Sequence, residues 1–209
     1  MQLELTKKET FLQEQALALH KTRKKIAKEL EKSILTELKS LYMENTEFEV
    51  RFSSEKNGQL DANGLDQVEF YITTNPGEPL KPLVKVASGG ELSRMLLALK
   101  TIFSSEQGVT SIIFDEVDTG VSGRVAQAIA DKISQISCHS QVLCITHLPQ
   151  VAAVADFQYY IQKEVIDGRT QTSVTELQPT QRETEIARML AGSEITPLTV
   201  EHAKELLRL

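Results

Sequence analysis

The first 45 residues contain neither glycine nor proline, and Leu5, Leu12, Leu19 and Ile26 recur in them at seven-residue intervals. A stretch without a helix breaker, carrying an apolar residue every second turn, is predicted to form one long amphipathic helix. The period also suits a coiled-coil seam, although charged companion positions such as Glu9, Arg23 and Glu37 keep that seam thin. From Ile26 the apolar stripe continues through Leu30, Ile34, Leu38 and Leu41 at three- and four-residue steps, the spacing of a helix settling on a core. Residues 1–45 are therefore expected to be an arm and residues 46–209 the body it leaves.

The body has a different rhythm. Apolar and polar residues alternate over Phe48–Phe52 and again over Val68–Ile72, with Asn57-Gly58 and Asn63-Gly64 between them, which predicts an antiparallel strand pair. After a loop with Pro76, Pro79 and Pro82 come a helix near 90–105, a strand near 110–114, a helix near 123–137 and a strand near 141–146. Alternation of this kind predicts an α/β body with a mostly parallel sheet flanked by helices. Alternating segments near 157–164 and 170–177, joined by Asp167-Gly168, predict a hairpin, and helices follow near 180–190 and 198–208.

Charge and composition narrow the functional classes. With 41% hydrophobic and 25% charged residues the chain is no disordered polyelectrolyte, and a net charge of −6 argues against a surface that coats nucleic acid. The arm holds nine basic and seven acidic residues, so it is the less acidic part. Its cluster Lys21, Arg23, Lys24, Lys25 and Lys28 suits either contact with phosphates or an ordinary solvated helix face. Cys138 and Cys144 have neither redox-pair nor zinc-site spacing and read as buried thiols. No apolar run approaches the ~18 residues needed to span a bilayer, and Met1–Glu4 has no leader-like core, so the expected compartment is the cytoplasm, with no membrane partner.

Four short segments carry chemistry. Ser88-Gly89-Gly90-Glu91 opens a helix continued by apolar Met95, Leu96, Leu99 and Ile102, and its exposed backbone N–H groups suit an anion as well as a simple Ser-capped start. Ile112-Ile113-Phe114 ends in Asp115 and Glu116, two carboxylates at the carboxyl end of a buried strand, where α/β folds place ligand chemistry. Asp118-Thr119-Gly120 follows directly and reads alone as a turn. A second buried strand, Gln141–Thr146, is followed by His147, either a surface residue or a hydrogen-bonding group for a terminal phosphate or attacking water.

The order of these segments resembles the C-terminal part of an ABC-type ATPase head. On that resemblance Ser88, Gly89, Gly90 and Glu91 form the signature motif, Asp115 and Glu116 the Walker B pair, Asp118 the D-loop and His147 the switch histidine. More narrowly, Val86–Met95, Ile113–Gly123, Cys144–Ala152, the Asn75–Pro79 loop and Ile186–Leu190 resemble the RecN family of bacterial DNA repair ATPases, which are similar to the structural-maintenance-of-chromosomes (SMC) proteins. The resemblance implies a P-loop NTPase fold of ABC/SMC type, with ATP and Mg²⁺ as cofactors. It assigns Asp115 to the metal and Glu116 and His147 to catalysis, and gives Ser88, Gly89, Gly90, Glu91 and Asp118 to nucleotide binding.

None of the ten glycines is followed by lysine, so the G-x-x-x-x-G-K-[ST] phosphate loop is not in this sequence. The resemblance therefore implies a C-terminal head lobe with a stub of coiled-coil arm, which hydrolyses ATP only together with an N-terminal lobe carrying the P-loop. A second head and DNA are the further partners it implies, with nucleoid association in the cytoplasm. A non-catalytic interaction module and a transporter ATPase subunit stay open beside it.

Overall fold

The computed structural model describes residues 2–53, 60–85, 89–104, 110–115, 117–121, 123–166, 168–192 and 194–208. Its contacts divide the chain into two compact units, Met1–Ile102 and Phe103–Leu209.

In the first unit the breaker-free stretch forms helix α1 over Gln2–Ser40. The helix stops before residue 45 because Tyr42 takes a left-handed conformation, φ 59°, and the Met43 N–H returns to the Leu38 carbonyl at 3.0 Å. Glycine normally supplies that turn, and no glycine marks it here. Ile34, Leu38 and Leu41 are fully buried, as the three- and four-residue stripe requires. The seven-residue set behaves differently: Leu5, Leu12, Leu19 and Ile26 are 40–58% exposed, and the small Ala16 and Ala27 are the buried positions upstream.

Strands β1 (Glu47–Ser53) and β2 (Gln67–Thr73) pair antiparallel from Glu47 opposite Thr73 to Ser53 opposite Gln67, with a short edge strand β3 at Lys81–Pro82. The Asn57-Gly58 turn lies outside the described residues, whereas Asn63-Gly64 sits in a turn closed by paired backbone bonds between Asp61 and Gly64. Two polar ties hold α1 to this sheet. Glu31 Oε1 accepts the Val50 N–H at 2.9 Å. Nearer the hairpin loop, Asp66, its side chain 5% exposed, accepts from His20 Nδ1 and lies 3.4 Å from Arg23 Nη1. Arg23 also donates to the Asn63 carbonyl at 2.8 Å. Gly64 carries φ +96°, and a Cβ there would meet Leu19 Cδ2 at 3.2 Å, so the helix and the turn fit only with glycine at this point.

Helix α2, Gly89–Phe103, follows. It buries Met95, Leu97 and Ala98, while Leu96 is half exposed, so the buried face differs from the expected set by one register step.

The second unit is built on strands β4 (Ser111–Asp115) and β5 (Gln141–Ile145), which run parallel with Asp115 beside Ile145. The connecting helix α3, Arg124–Ser137, turns Ala126, Ile129, Ala130, Ile133 and Ile136 inward. Ile112 and Phe114 are buried, but Ile113, Leu143 and Ile145 on alternate positions are 71, 49 and 50% exposed. A short helix α4 (Pro149–Ala153) precedes a hairpin of β6 (Tyr159–Ile166) and β7 (Arg169–Glu176), whose turn includes Gly168 at φ 74°. Helices α5 (Pro179–Ala191) and α6 (Pro197–Leu206) finish the described chain, packing Ile186, Ala187 and Ala203 with Ala152 and Ala153 of α4. Among the described residues β4–β5 is the parallel pair, and the other strands pair antiparallel.

The thiols depart from expectation. Cys138, just past α3, is exposed, and Cys144 is only partly buried, because alternation along β5 gives it the half-covered face. No helix among the described residues is long and apolar enough to cross a membrane.

Candidate functional site

The parallel register of β4 and β5 puts two carboxyl ends side by side. Asp115 closes β4 with its side chain exposed, and the chain beyond Ile145 supplies Thr146 and His147 at the same end. Glu116 lies outside the described residues. Val117, 3% exposed, anchors the next turn, in which the Val121 N–H reaches the Asp118 carbonyl at 3.4 Å and Gly120 takes φ +72°.

That turn delivers Asp118 into the protein rather than into solvent. Its residue exposure is 0%, and its carboxylate is held by the residues just past β5. Oδ2 accepts from the Thr146 hydroxyl and from the His147 N–H at 3.2 Å, while Thr146 Oγ1 accepts the Leu148 N–H at 3.0 Å. Oδ1 stands 3.5 Å from His147 Nδ1, and the His147 side chain is 66% exposed. Thus Asp115, Asp118 and His147 occupy one neighbourhood. Thr146 is the member that sequence reasoning missed; its signal was a hydroxyl residue at the end of an apolar strand, directly before the histidine.

The field at this end is negative. Burial first, and then the charges of Asp118 and Asp115, push the Cys144 thiol up to about 12. Such a thiol stays protonated and does not serve as a nucleophile near neutrality.

Gly89, Gly90 and Glu91 form the first turn of α2 in the other unit, and Ser88 lies outside the described residues. Around Gly89 a Cβ would meet nothing within 4 Å, so its backbone is open to a ligand, and the Gly90 carbonyl accepts from Arg94 Nε at 3.2 Å. For a metal, the described residues contain no group of three or more His, Cys, Asp or Glu able to hold an ion by themselves. A single exposed carboxylate, Asp115, fits Mg²⁺, which is commonly bound by one or two carboxylates together with nucleotide phosphates and water.

No protein-family model matches the chain. Its sequence is 62% identical over 200 residues to the DNA repair protein RecN of Halalkalibacterium halodurans, a match covering 95% of this chain and 35% of that protein. It is 60% identical over 207 residues to RecN of Bacillus subtilis (93% and 36% covered) and 44% identical over 189 residues to RecN of Vibrio cholerae (90% and 34%). Among solved structures, the Smc head domain with coiled coil and joint from Pyrococcus yayanosii matches with a TM-score of 0.58 at 20% identity, over 79% of this chain and 29% of that one. The Smc head domain with an extended coiled coil from Pyrococcus furiosus matches with a TM-score of 0.50 at 20% identity, over 89% and 47%. These two likenesses give the fold, an ABC/SMC-type head with a long helix entering it. The chain carries RecN-family sequence over nearly its whole length, as a segment about a third as long as the proteins it matches.

Proposed function

We infer that this chain is the C-terminal part of the ATPase head of a RecN-like, SMC-family protein that acts in recombinational repair of DNA double-strand breaks. The observation that carries the reading is the meeting of Asp115 with the Asp118–Thr146–His147 group at the carboxyl ends of one parallel strand pair, in a chain of RecN-family sequence.

In this reading Asp115 is the carboxylate that would hold Mg²⁺, Glu116 orients and polarises the attacking water, and His147 faces the γ-phosphate region, where that water lies. Bound Mg²⁺-ATP supplies the phosphoryl group and the charge to be stabilised. Ser88, Gly89, Gly90 and Glu91 offer the first turn of α2 to the ATP of a second head, and the turn carrying Asp118 lies at the nucleotide side. ATP binding closes two heads on each other and hydrolysis lets them part, so that the arm of residues 1–45 passes the motion to a clamp on DNA.

The partners follow from what the chain leaves uncovered. Ile113, Leu143 and Ile145 present an apolar strip on the parallel pair, the kind of face another layer of protein covers; we assign it to the N-terminal lobe that brings the P-loop. The exposed seven-residue stripe of α1 suits a neighbouring arm helix. The compartment is cytoplasmic, at the nucleoid, without a membrane partner.

The test is Mg²⁺-dependent ATP hydrolysis by the full-length chain and by this segment mixed with a separately produced P-loop lobe. Activity should require both lobes and fall at least ~100-fold in Glu116→Gln. Wild-type turnover in that variant would sink the role given to Glu116. Failure to recover activity from the joined lobes would leave an interaction module instead.

A further inference from the structure

We propose that Asp118 is the positioning residue of His147: its free carboxylate oxygen takes the Nδ1–H of the imidazole, fixing the ring as the tautomer whose other nitrogen, Nε2, is bare and presented to the site.

The Asp118 carboxylate has no freedom left. Oδ2 is claimed by the Thr146 hydroxyl and by the His147 N–H, so the group cannot rotate without breaking both bonds. Oδ1 is buried and has no hydrogen-bond partner among the described residues. An orphaned oxygen on a fully buried carboxylate is costly, and native structures nearly always supply such an atom with a donor. His147 Nδ1 stands 3.5 Å away, longer than a formed bond and short enough for a small ring rotation to complete it. Catalytic hydrogen bonds are often this long before ligands assemble and tighten afterwards.

The consequence is chemical. A neutral imidazole carries one proton, and the partner at one nitrogen decides which nitrogen holds it. With Nδ1–H directed at Asp118, Nε2 keeps its lone pair and can accept a hydrogen bond from water. Asparagine in place of Asp118 can turn its N–H₂ toward Nδ1, which moves the proton to Nε2 and makes that atom a donor. Asp118 touches no reacting atom in this scheme and acts only through the histidine. The tautomer follows from the geometry alone; its effect on turnover rests on the ATPase reading above.

The experiment has two parts. Long-range ¹H–¹⁵N spectra of this chain, recorded above the histidine titration range and assigned with His147→Gln, report which ring nitrogen of His147 is protonated. The expected result is Nδ1–H in the wild type and Nε2–H in Asp118→Asn. An Nε2–H wild type, or a tautomer that ignores the substitution, overturns the proposal; the wild-type spectrum decides even if Asp118→Asn does not fold. In the full-length chain, Asp118→Asn and His147→Gln should lower kcat by similar factors of at least ~10, with no further loss when combined and KM for ATP within about twofold. Unchanged kcat in Asp118→Asn, or losses that multiply, would reduce Asp118 to a loop anchor. Should the ATPase reading itself fail, wild-type full-length chain would show no Mg²⁺-dependent turnover while the tautomer result stood.

Discussion

The Thr146 hydroxyl donates to Asp118 Oδ2 while accepting the N–H of Leu148, so one side chain closes the end of β5 onto the turn that follows β4. Valine has nearly the shape of threonine without the hydroxyl. Thr146→Val should therefore strip a donor from a buried carboxylate and an acceptor from the Leu148 N–H together, costing about 1–3 kcal/mol. The shift in urea midpoint at constant m-value measures it. Thr146→Ser should recover most of the loss, and an unchanged midpoint in the valine variant would show that the Asp118 tie adds nothing.

At the root of the arm, Asp66 is the acceptor shared by His20 and Arg23. Asp66→Ala leaves both side chains partly exposed, with water as a substitute partner, so the expected cost is about 1–2 kcal/mol rather than that of a fully buried pair. The effect should be local: amide hydrogen exchange should quicken around residues 16–24 of α1 while β4 and β5 keep their protection. Equal quickening in both units would contradict this placement.

Much of the fold was legible because periodicity reports burial. The stripe Ile34, Leu38, Leu41 and the alternation over Phe48–Phe52 map onto buried faces, and the β4–α3–β5 alternation appears as drawn. The failures have physical causes. The end of α1 was hidden because a tyrosine, not a glycine, adopts the left-handed turn. Leu96 was misassigned because apolar residues surround α2 on several sides, and spacing cannot then single out the buried face. At the site, motif order singled out Asp115, Asp118 and His147 along the chain, but a linear motif does not say whether a carboxylate points to solvent. The burial of Asp118 and its Thr146 partner emerged only when the strand register brought the two loops together.

Arg182 of α5 acts as a peg between elements. Its Nη2 donates to the Ala155 carbonyl at 2.6 Å and approaches that of Ala153 at 3.4 Å, and Nη1 reaches the Asp156 carbonyl at 3.3 Å. These carbonyls lie at and just beyond the end of α4, where no further helical turn can satisfy them. Arg182→Met keeps the stem and removes the fork, and should lower stability by about 1.5–3 kcal/mol. Arg182→Lys should not restore it, since a single ammonium cannot span the same carbonyls. Full recovery by lysine in chemical denaturation would mean that charge alone holds the segment.

Cys144 and Cys138 should separate cleanly by chemistry. Cys138 is exposed, whereas burial and the neighbouring carboxylates push Cys144 up to about 12 from an ordinary value of 9.0. A maleimide at neutral pH should thus modify Cys138 rapidly, and Cys144 at the ordinary rate only after denaturant is added. The same shift has a stability consequence of definite sign. Between about 9 and about 12 the folded chain retains a proton at Cys144 that the unfolded chain has lost. Stability contributed by the protonated thiol is therefore fully present below about 9 and falls as pH rises through that window. Subtracting the denaturation midpoints of Cys144→Ala from those of the wild type across alkaline pH isolates this slope from the titration of lysines and tyrosines. A difference curve that is flat, or that rises with pH, would show that the thiol is not held protonated by its surroundings.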